Sequence, residues 1–234
     1  MNKKFFVGIS GRKRQGKDTA ATFIEDWCSV HGHPCSRRAF ADIVRECIVE
    51  SMPFEVDLEY FDFIGDSSYD RDCDDVLKCF SQEQKHDIME DWLDNFISLL
   101  RESGYQPHCD IPKFESGDVT IRKLLQYFGT DVGKNCFDSN IWIDLTLSQF
   151  EKSVGYIILS DVRFDDEAEV IRNLSGVVIE VFMNTGTVDD THASEAGISD
   201  QLVDIRVENR YGSVSELESR IKNIVENINA TIDV

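Results

Sequence analysis

The chain has no run of about 18 apolar residues, the length a membrane-crossing helix needs, so no such span is expected. Its opening, Met1 to Ser10, is too short and too soon interrupted for a signal peptide, and reads instead as a buried first strand. No CxxC pair occurs among the seven cysteines (28, 35, 47, 73, 79, 109 and 136), and seven cannot all pair with one another. With no export signal, the simplest expectation is reduced thiols in a cytoplasm. The segment His31-Gly32-His33-Pro34-Cys35 has the residue types of a metal site, but no second ligand cluster stands at zinc-site spacing, so it reads as a turn that ends a helix. There are no internal repeats and no low-complexity tract.

Positive charge is the scarcest resource. Lys and Arg number 24 against 44 Asp and Glu, for a formal net charge of −20. A polyanion or an anionic membrane would be repelled, which argues against nucleic-acid and membrane partners. What is present suits a globular domain: 234 residues, 41% of them hydrophobic, enough for one large domain or one domain with an insertion.

The pattern of elements points to an α/β class. Phe5 to Ser10 is an apolar run ending in glycines, and Lys17 to Val30 is helical with Ala20, Phe23, Ile24 and Trp27 on one face. A second strand is expected at Arg37 to Phe40 and a helix at Asp42 to Ser51, so the order β-loop-α-β-α predicts a parallel sheet. Residues 55–118 break this alternation and read as a helical insertion within a single 1–234 domain. Their one strong helix is Ser81 to Glu102, where Ile88, Trp92 and Phe96, and again Met89, Leu93 and Ile97, recur every fourth residue. Alternation is expected to resume near Val119, with helices at Thr120 to Phe128, from Asp138, at Asp165 to Leu174 and at Ser213 to Asn229. The later strands are Tyr156 to Ser160, Val177 to Phe182 and Leu202 to Val207; the first is a continuous apolar run of the kind found in a central parallel strand, and the second also reads as buried.

The sharpest motif is Gly11-Arg12-Lys13-Arg14-Gln15-Gly16-Lys17-Asp18-Thr19. Gly11 to Lys17 fits the G-x-x-x-x-G-K core of a phosphate-binding P-loop, set between a strand and a helix as that motif requires. Glycines let successive N–H groups turn inward on phosphate oxygens, the helix end adds its positive dipole, and Lys17 supplies a mobile charge for the β- and γ-phosphates. A plain glycine turn would explain the glycines but not the lysine. Arg12, Lys13, Arg14 and Lys17 put four of the 24 basic residues within six positions, which is where a very acidic chain would hold an anionic nucleotide. The usual Ser or Thr after the lysine is replaced by Asp18, with Thr19 next, so either Thr19, or Asp18 through water, is the candidate for Mg²⁺.

Phosphoryl transfer to a monophosphate needs no strong base, because the attacking oxygen is already anionic; it needs alignment and cations. Guanidinium groups from separate segments suit this, and Arg45, Arg71, Arg122 and Arg163 are the candidates, each of which could equally be a surface arginine. Asp161 and Arg163 follow the most apolar strand, at the strand end that lines the ligand crevice of open α/β sheets. Asp161 suits Mg²⁺ through water, or else the capping of the next helix. Gln126 offers an amide acceptor and two donor hydrogens, and Trp142 a flat apolar face with one N–H, residue types that a core also takes.

Taken together these blocks resemble the T-even-type phage deoxynucleoside monophosphate kinases over most of the chain. The resemblance rests on the loop Gly11 to Thr19, Tyr69-Asp70-Arg71, Ile121 to Asp131, Asn135 to Asp138 with Trp142, Ser160 to Arg163 with Glu167, and Asp190 to Gly197. It implies a P-loop kinase fold, with a five-stranded parallel sheet and helices on both faces. It also implies ATP, Mg²⁺ and a deoxynucleoside monophosphate as ligands, and a homodimer. By the same resemblance Gly11, Arg14, Gly16, Lys17, Asp18 and Thr19 hold ATP, and Lys13 lies where both substrates' phosphates meet. Val44, Arg45, Arg71, Arg122, Gln126, Thr130 and Trp142 line the acceptor site, and Arg163 and Glu167 lie near the reacting centre, Glu167 beside the acceptor. Two departures stand out. The family's Arg-Pro-Gly turn is here Phe182-Met183-Asn184-Thr185-Gly186, leaving Arg206, Arg210 or Arg172 as substitutes for its arginine, and residues 55–118 match only at Tyr69 to Arg71. A dephospho-coenzyme A kinase, with similar glycine spacing, and a non-catalytic nucleotide-binding protein are the rival readings.

Overall fold

The computed structural model describes residues 4–12, 14–53, 75–183, 197–210 and 213–232. The chain divides into two compact units, Met1–Phe40 with Leu147–Val234, and Ala41–Thr146.

The first unit is built on five parallel strands: β1 (Lys4–Ser10), β2 (Cys35–Arg38), β3 (Gly155–Val162), β4 (Val177–Phe182) and β5 (Ile205–Glu208), in the spatial order β2-β3-β1-β4-β5. The expected five-stranded α/β fold is present. β1 lies at the centre, and the uninterrupted apolar runs of β1 and β3 are fully buried there, as strands covered on both faces must be. On one face α1 (Lys17–His31) and the closing helix Val214–Ile232 pack together. Ala20, Ile24 and Trp27 join Val7, Ile9, Ile158, Val181, Leu217 and Ile221 in a single core. The helix Asp165–Asn173 packs on β1 and β4 from the other side, close enough that a Cβ at Gly8 would lie 2.6 Å from Ile171 Cδ1. The β1–β3 register breaks between Gly8 and Ser10, where the strand leaves the sheet for the glycine loop.

The second unit is helical among its described residues. Its spine is Gln82–Glu102, started by a capping box in which Ser81 Oγ accepts from Gln84 N and Gln84 Oε1 accepts from Ser81 N at 3.0 Å. Of the predicted stripe, Ile88, Met89, Trp92, Phe96 and Ile97 are buried and Leu93 is half-buried against the same core, which Leu100 extends by a further turn. Its partners are Phe40–Glu50, Ile121–Gln126 and Ile141–Ser148, and the Trp92 indole N–H donates to Ile48 O at 2.9 Å. This unit is wider than the 55–118 insertion expected from composition. Ile121, Leu124, Phe128, Val132 and Cys136 are apolar at helical spacing with no strand among them, so they bury against the 82–102 spine. Alternation with the sheet resumes only at Gly155.

After Gln126 the helix does not end, as had been expected near Phe128, but widens into a π-helix, Tyr127–Phe137. The Trp142 ring lies against it so closely that a Cβ at Gly133 would sit 2.2 Å from Cζ2, and the indole N–H donates to Gly129 O at 2.6 Å. A side chain wedged against the helix ladder in this way is a recognised cause of helix distortion.

Candidate active site

Gly11 has φ 145° and runs so close to β4 that a Cβ would meet Val181 O at 2.2 Å, so only glycine fits at the loop's entry. Arg14 (φ 63°) and Gly16 (φ 97°) are left-handed, a backbone curl that turns successive N–H groups to one side. The loop ties itself with Arg12 N donating to Gln15 Oε1 at 2.7 Å. It is also tied from afar: Asn209 Nδ2 donates to Gln15 O at 2.9 Å, and Asn209 N donates to Phe182 O at 2.7 Å.

Lys17 opens α1 and folds back over the loop, its Nζ donating to Gly11 O at 2.6 Å and standing 3.3 Å from Asp161 Oδ1. Asp161 lies at the carboxyl end of β3, so the sheet brings together the loop lysine and the acid that sequence placed at that strand end. The other carboxylate oxygen, Oδ2, accepts from Arg163 Nε at 2.8 Å. Asp161 Oδ1 is buried and accepts no hydrogen bond from a described residue, the Lys17 approach being ionic. Asp161 therefore does not cap the following helix. Glu167 does: it is 6% exposed, and its Oε2 accepts from Arg163 N at 2.8 Å and Phe164 N at 3.3 Å.

Asp18 and Thr19 are both exposed. The Asp18 carboxylate is taken by Arg37 Nη2 at 2.7 Å, a pairing for which the sequence carried no signal. Arg14 is exposed, and Lys13 lies outside the described residues.

In the second unit Val44 is buried beside Gly129. Arg45 Nη1 donates to Asp42 Oδ1 at 2.8 Å, while its Nε is buried without a hydrogen bond to a described residue. Arg122, Gln126 and Thr130 are exposed and four residues apart, one solvent-facing stripe across the α-to-π transition. Trp142 is a core residue, 3% exposed, with its N–H already used. Arg71 and its neighbours Tyr69 and Asp70 lie outside the described residues. The three arginines proposed to replace the missing Arg-Pro-Gly arginine are all engaged by acids: Arg206 by Glu180 and Asp200, Arg210 by Glu208 and Glu216, and Arg172 by Asp204.

Cys28, Cys35, Cys47, Cys79, Cys109 and Cys136 are free thiols, and burial pushes the Cys47 thiol up to about 12. No group of three or more His, Cys, Asp or Glu side chains able to hold a metal occurs among the described residues, so the His31 to Cys35 segment carries no such cluster. It ends α1, with Gly32 at φ 71° as the left-handed cap. No helix among the described residues is long and apolar enough to cross a membrane.

The comparisons with known proteins agree with this geometry. The family model for deoxynucleotide monophosphate kinase matches residues 5–221. The chain is 30% identical to the deoxynucleotide monophosphate kinase of Escherichia phage RB69, over 94% of this chain and 98% of the relative. It is 35% identical to that of Enterobacteria phage T4 over 46% of each chain, and 22% identical to the deoxynucleoside-5'-monophosphate kinase of Escherichia phage T5 over 94% of this chain and 95% of the relative. A family match across both units, joined to a glycine loop whose lysine meets the acid at the end of β3, places this chain in the deoxynucleotide monophosphate kinase family.

Proposed function

We propose that the protein transfers the γ-phosphoryl group of ATP to the phosphate oxygen of a deoxynucleoside 5'-monophosphate, giving the diphosphate and ADP. The observation that carries this reading is the convergence of Lys17 and Asp161 on the glycine loop. The bond formed is from an acceptor phosphate oxygen to the γ-phosphorus, and the bond broken joins that phosphorus to the β,γ-bridging oxygen, which keeps the electron pair on ADP. The acceptor oxygen is already an anion, so no residue is needed to remove a proton. The loop N–H groups and α1's N-terminal dipole hold the donor phosphates, and Lys17 shifts from the Gly11 carbonyl to the phosphate oxygens as charge moves through them. Arg163, aimed by Asp161 and by the Glu167 anchor on its backbone, grips the transferring group.

The buried Asp161 Oδ1, free of hydrogen bonds from described residues, fits a magnesium–nucleotide complex. Asp161 and Thr19 would hold the ion, Asp161 through water, and it would neutralise charge between the β- and γ-phosphates. Asp18 is the weaker candidate, since its carboxylate already has the Arg37 guanidinium. For the acceptor, the exposed stripe Arg122, Gln126 and Thr130 offers a cation, an amide and a hydroxyl. Arg45 adds a second guanidinium, while Lys13 and Arg71 enter from the sequence resemblance. Val44 and Trp142 support this site from beneath as packing. A homodimer acting in the cytoplasm of an infected host completes the reading; light scattering on the purified protein tests the dimer.

A coupled assay of ADP release with ATP, Mg²⁺ and each of dTMP, dGMP, dCMP and dAMP tests the function. Release above the monophosphate-free rate is expected for at least one acceptor. Lys17→Ala is expected to lower kcat by on the order of a hundredfold, as loss of a charge-stabilising group does. Turnover of Lys17→Ala within about threefold of the unaltered protein would remove the loop from the mechanism.

A further inference from the structure

We propose that Asn209 is a positioning residue for the triphosphate, acting through the Gln15–Gly16 peptide of the loop. The proposal rests on the reading that this loop binds ATP. Asn209 follows β5, 194 residues along the chain from Gln15, yet its Nδ2 donates to Gln15 O at 2.9 Å. Its own backbone is fixed, because Asn209 N donates to Phe182 O at 2.7 Å and so continues the β4–β5 pairing by one more bond. The side chain is therefore a short arm on a rigid strand end.

The consequence follows from peptide geometry. In a trans peptide the C=O and the N–H point to opposite sides of the chain. Holding Gln15 O toward Asn209 turns the Gly16 N–H away from it, to the side where a curled loop of this kind receives an anion. Gly16, at φ 97°, is the soft point at which this peptide would otherwise flip, since glycine carries little penalty for either orientation. The contact is also close. A Cβ at Gly16 would stand 2.5 Å from Asn209 Nδ2, so the glycine makes room for the amide as well as for phosphate. Gln15 is further fixed from the other side, where Arg12 N donates to its Oε1 at 2.7 Å, leaving the Gln15 carbonyl to Asn209. Asn209 carries no net charge, so its contribution is orientation and not attraction of the anion.

The test uses Asn209→Leu, which keeps the shape and loses the donor, and Asn209→Ser, which is too short to reach. Binding of ATP and of inorganic tripolyphosphate is measured by calorimetry at fixed Mg²⁺, alongside KM for ATP and for a deoxynucleoside monophosphate, with Lys17→Ala as the control for the loop itself. Both Asn209 variants are expected to bind ATP and tripolyphosphate about tenfold more weakly, the effect of losing one part-buried hydrogen bond that holds a binding group. The monophosphate KM is expected to stay within about twofold, a split that general damage to the fold would not produce. Unchanged ATP binding in both variants overturns the proposal. So does weaker ATP with unchanged tripolyphosphate, which would make Asn209 a contact of the nucleoside, and so does an equal rise in both KM values. Lys17→Ala binding tripolyphosphate as tightly as the unaltered protein would instead overturn the reading of the loop as the triphosphate site, and the proposal with it.

Discussion

Replacing Glu167 by alanine separates two accounts of that residue. The family resemblance places it beside the acceptor, whereas the structure shows it buried and holding the turn that carries Arg163. Its Oε2 accepts one short bond, 2.8 Å from Arg163 N, and one long bond, 3.3 Å from Phe164 N. A hydrogen bond to a charged group contributes about 1.5–3 kcal/mol, and the long one falls at or below the bottom of that range. Water recovers part of the loss, because both hydrogen bonds are only part-buried. The net cost of Glu167→Ala is then about 2 kcal/mol, which in a chain of this size lowers Tm by about 4–8 °C. Glu167→Gln keeps a carbonyl acceptor and should lose about half as much. Since Arg163 Nε reaches Asp161 at 2.8 Å from that turn, kcat should fall about tenfold in the alanine variant with the monophosphate KM little changed. Scanning calorimetry and steady-state kinetics on the same preparations decide the matter. A Tm within about 1 °C of the unaltered protein, together with a large rise in monophosphate KM, would refute the positional account and restore the direct one.

The ion pair between buried Lys85 and half-buried Asp75 gives a pH-dependent stability. Burial works against the Asp75 charge, but the Lys85 ammonium and the N–H groups of Leu77 and Val119 outweigh it and hold the carboxyl below its usual range. A depressed carboxylate stabilises the fold above its unfolded pKa and loses that contribution as pH falls through the folded one. Asp75→Asn should therefore cost about 3 kcal/mol near neutrality, where it strands a buried ammonium, and the gap should close below about pH 4; a gap constant with pH would contradict this. Gly133→Ala gains about 1 kcal/mol of helix propensity but drives a methyl into the Trp142 ring at 2.2 Å, so a net loss of about 2 kcal/mol and a shifted tryptophan emission are expected, and an unchanged melt would show that the ring moves freely. Gln126→Leu should reorder kcat/KM among dTMP, dGMP, dCMP and dAMP with ATP KM within about twofold; an unchanged order would take Gln126 out of the acceptor site.

The local patterns were legible without coordinates. Strands β1, β3 and β4, helix α1 and the 82–102 helix appear within a few residues of where apolar runs and four-residue spacing place them, because each pattern is set by near neighbours along the chain. Thr120 to Phe128 is an instructive exception. Its helix starts as expected, but the continuation to Phe137 depends on a tryptophan from the next helix lying on Gly129 and Gly133. Leu202 to Val207 likewise reads as one strand, yet it divides into a short turn, Asp200–Leu202, and β5 from Ile205, because Asp204 turns its carboxylate to Val178 N at 2.9 Å.

The candidate site divides along the same line. The sequence by itself determined the glycine loop with Lys17 in it, since strand, glycine spacing and lysine form one contiguous motif, and it put Asp161 and Arg163 at a strand end because they follow an apolar run. Only the tertiary structure decided that Lys17 faces Asp161, that Arg37 takes the Asp18 carboxylate, that Glu167 anchors a turn, and that Asn209 holds the Gln15 carbonyl. It also decided that residues 119–146 pack with the 82–102 helix in one unit. The physical reason is common to all of these. An amphipathic period says that a face must be covered but not by what, and a hydrogen bond between segments far apart in the chain leaves no spacing for a sequence to display.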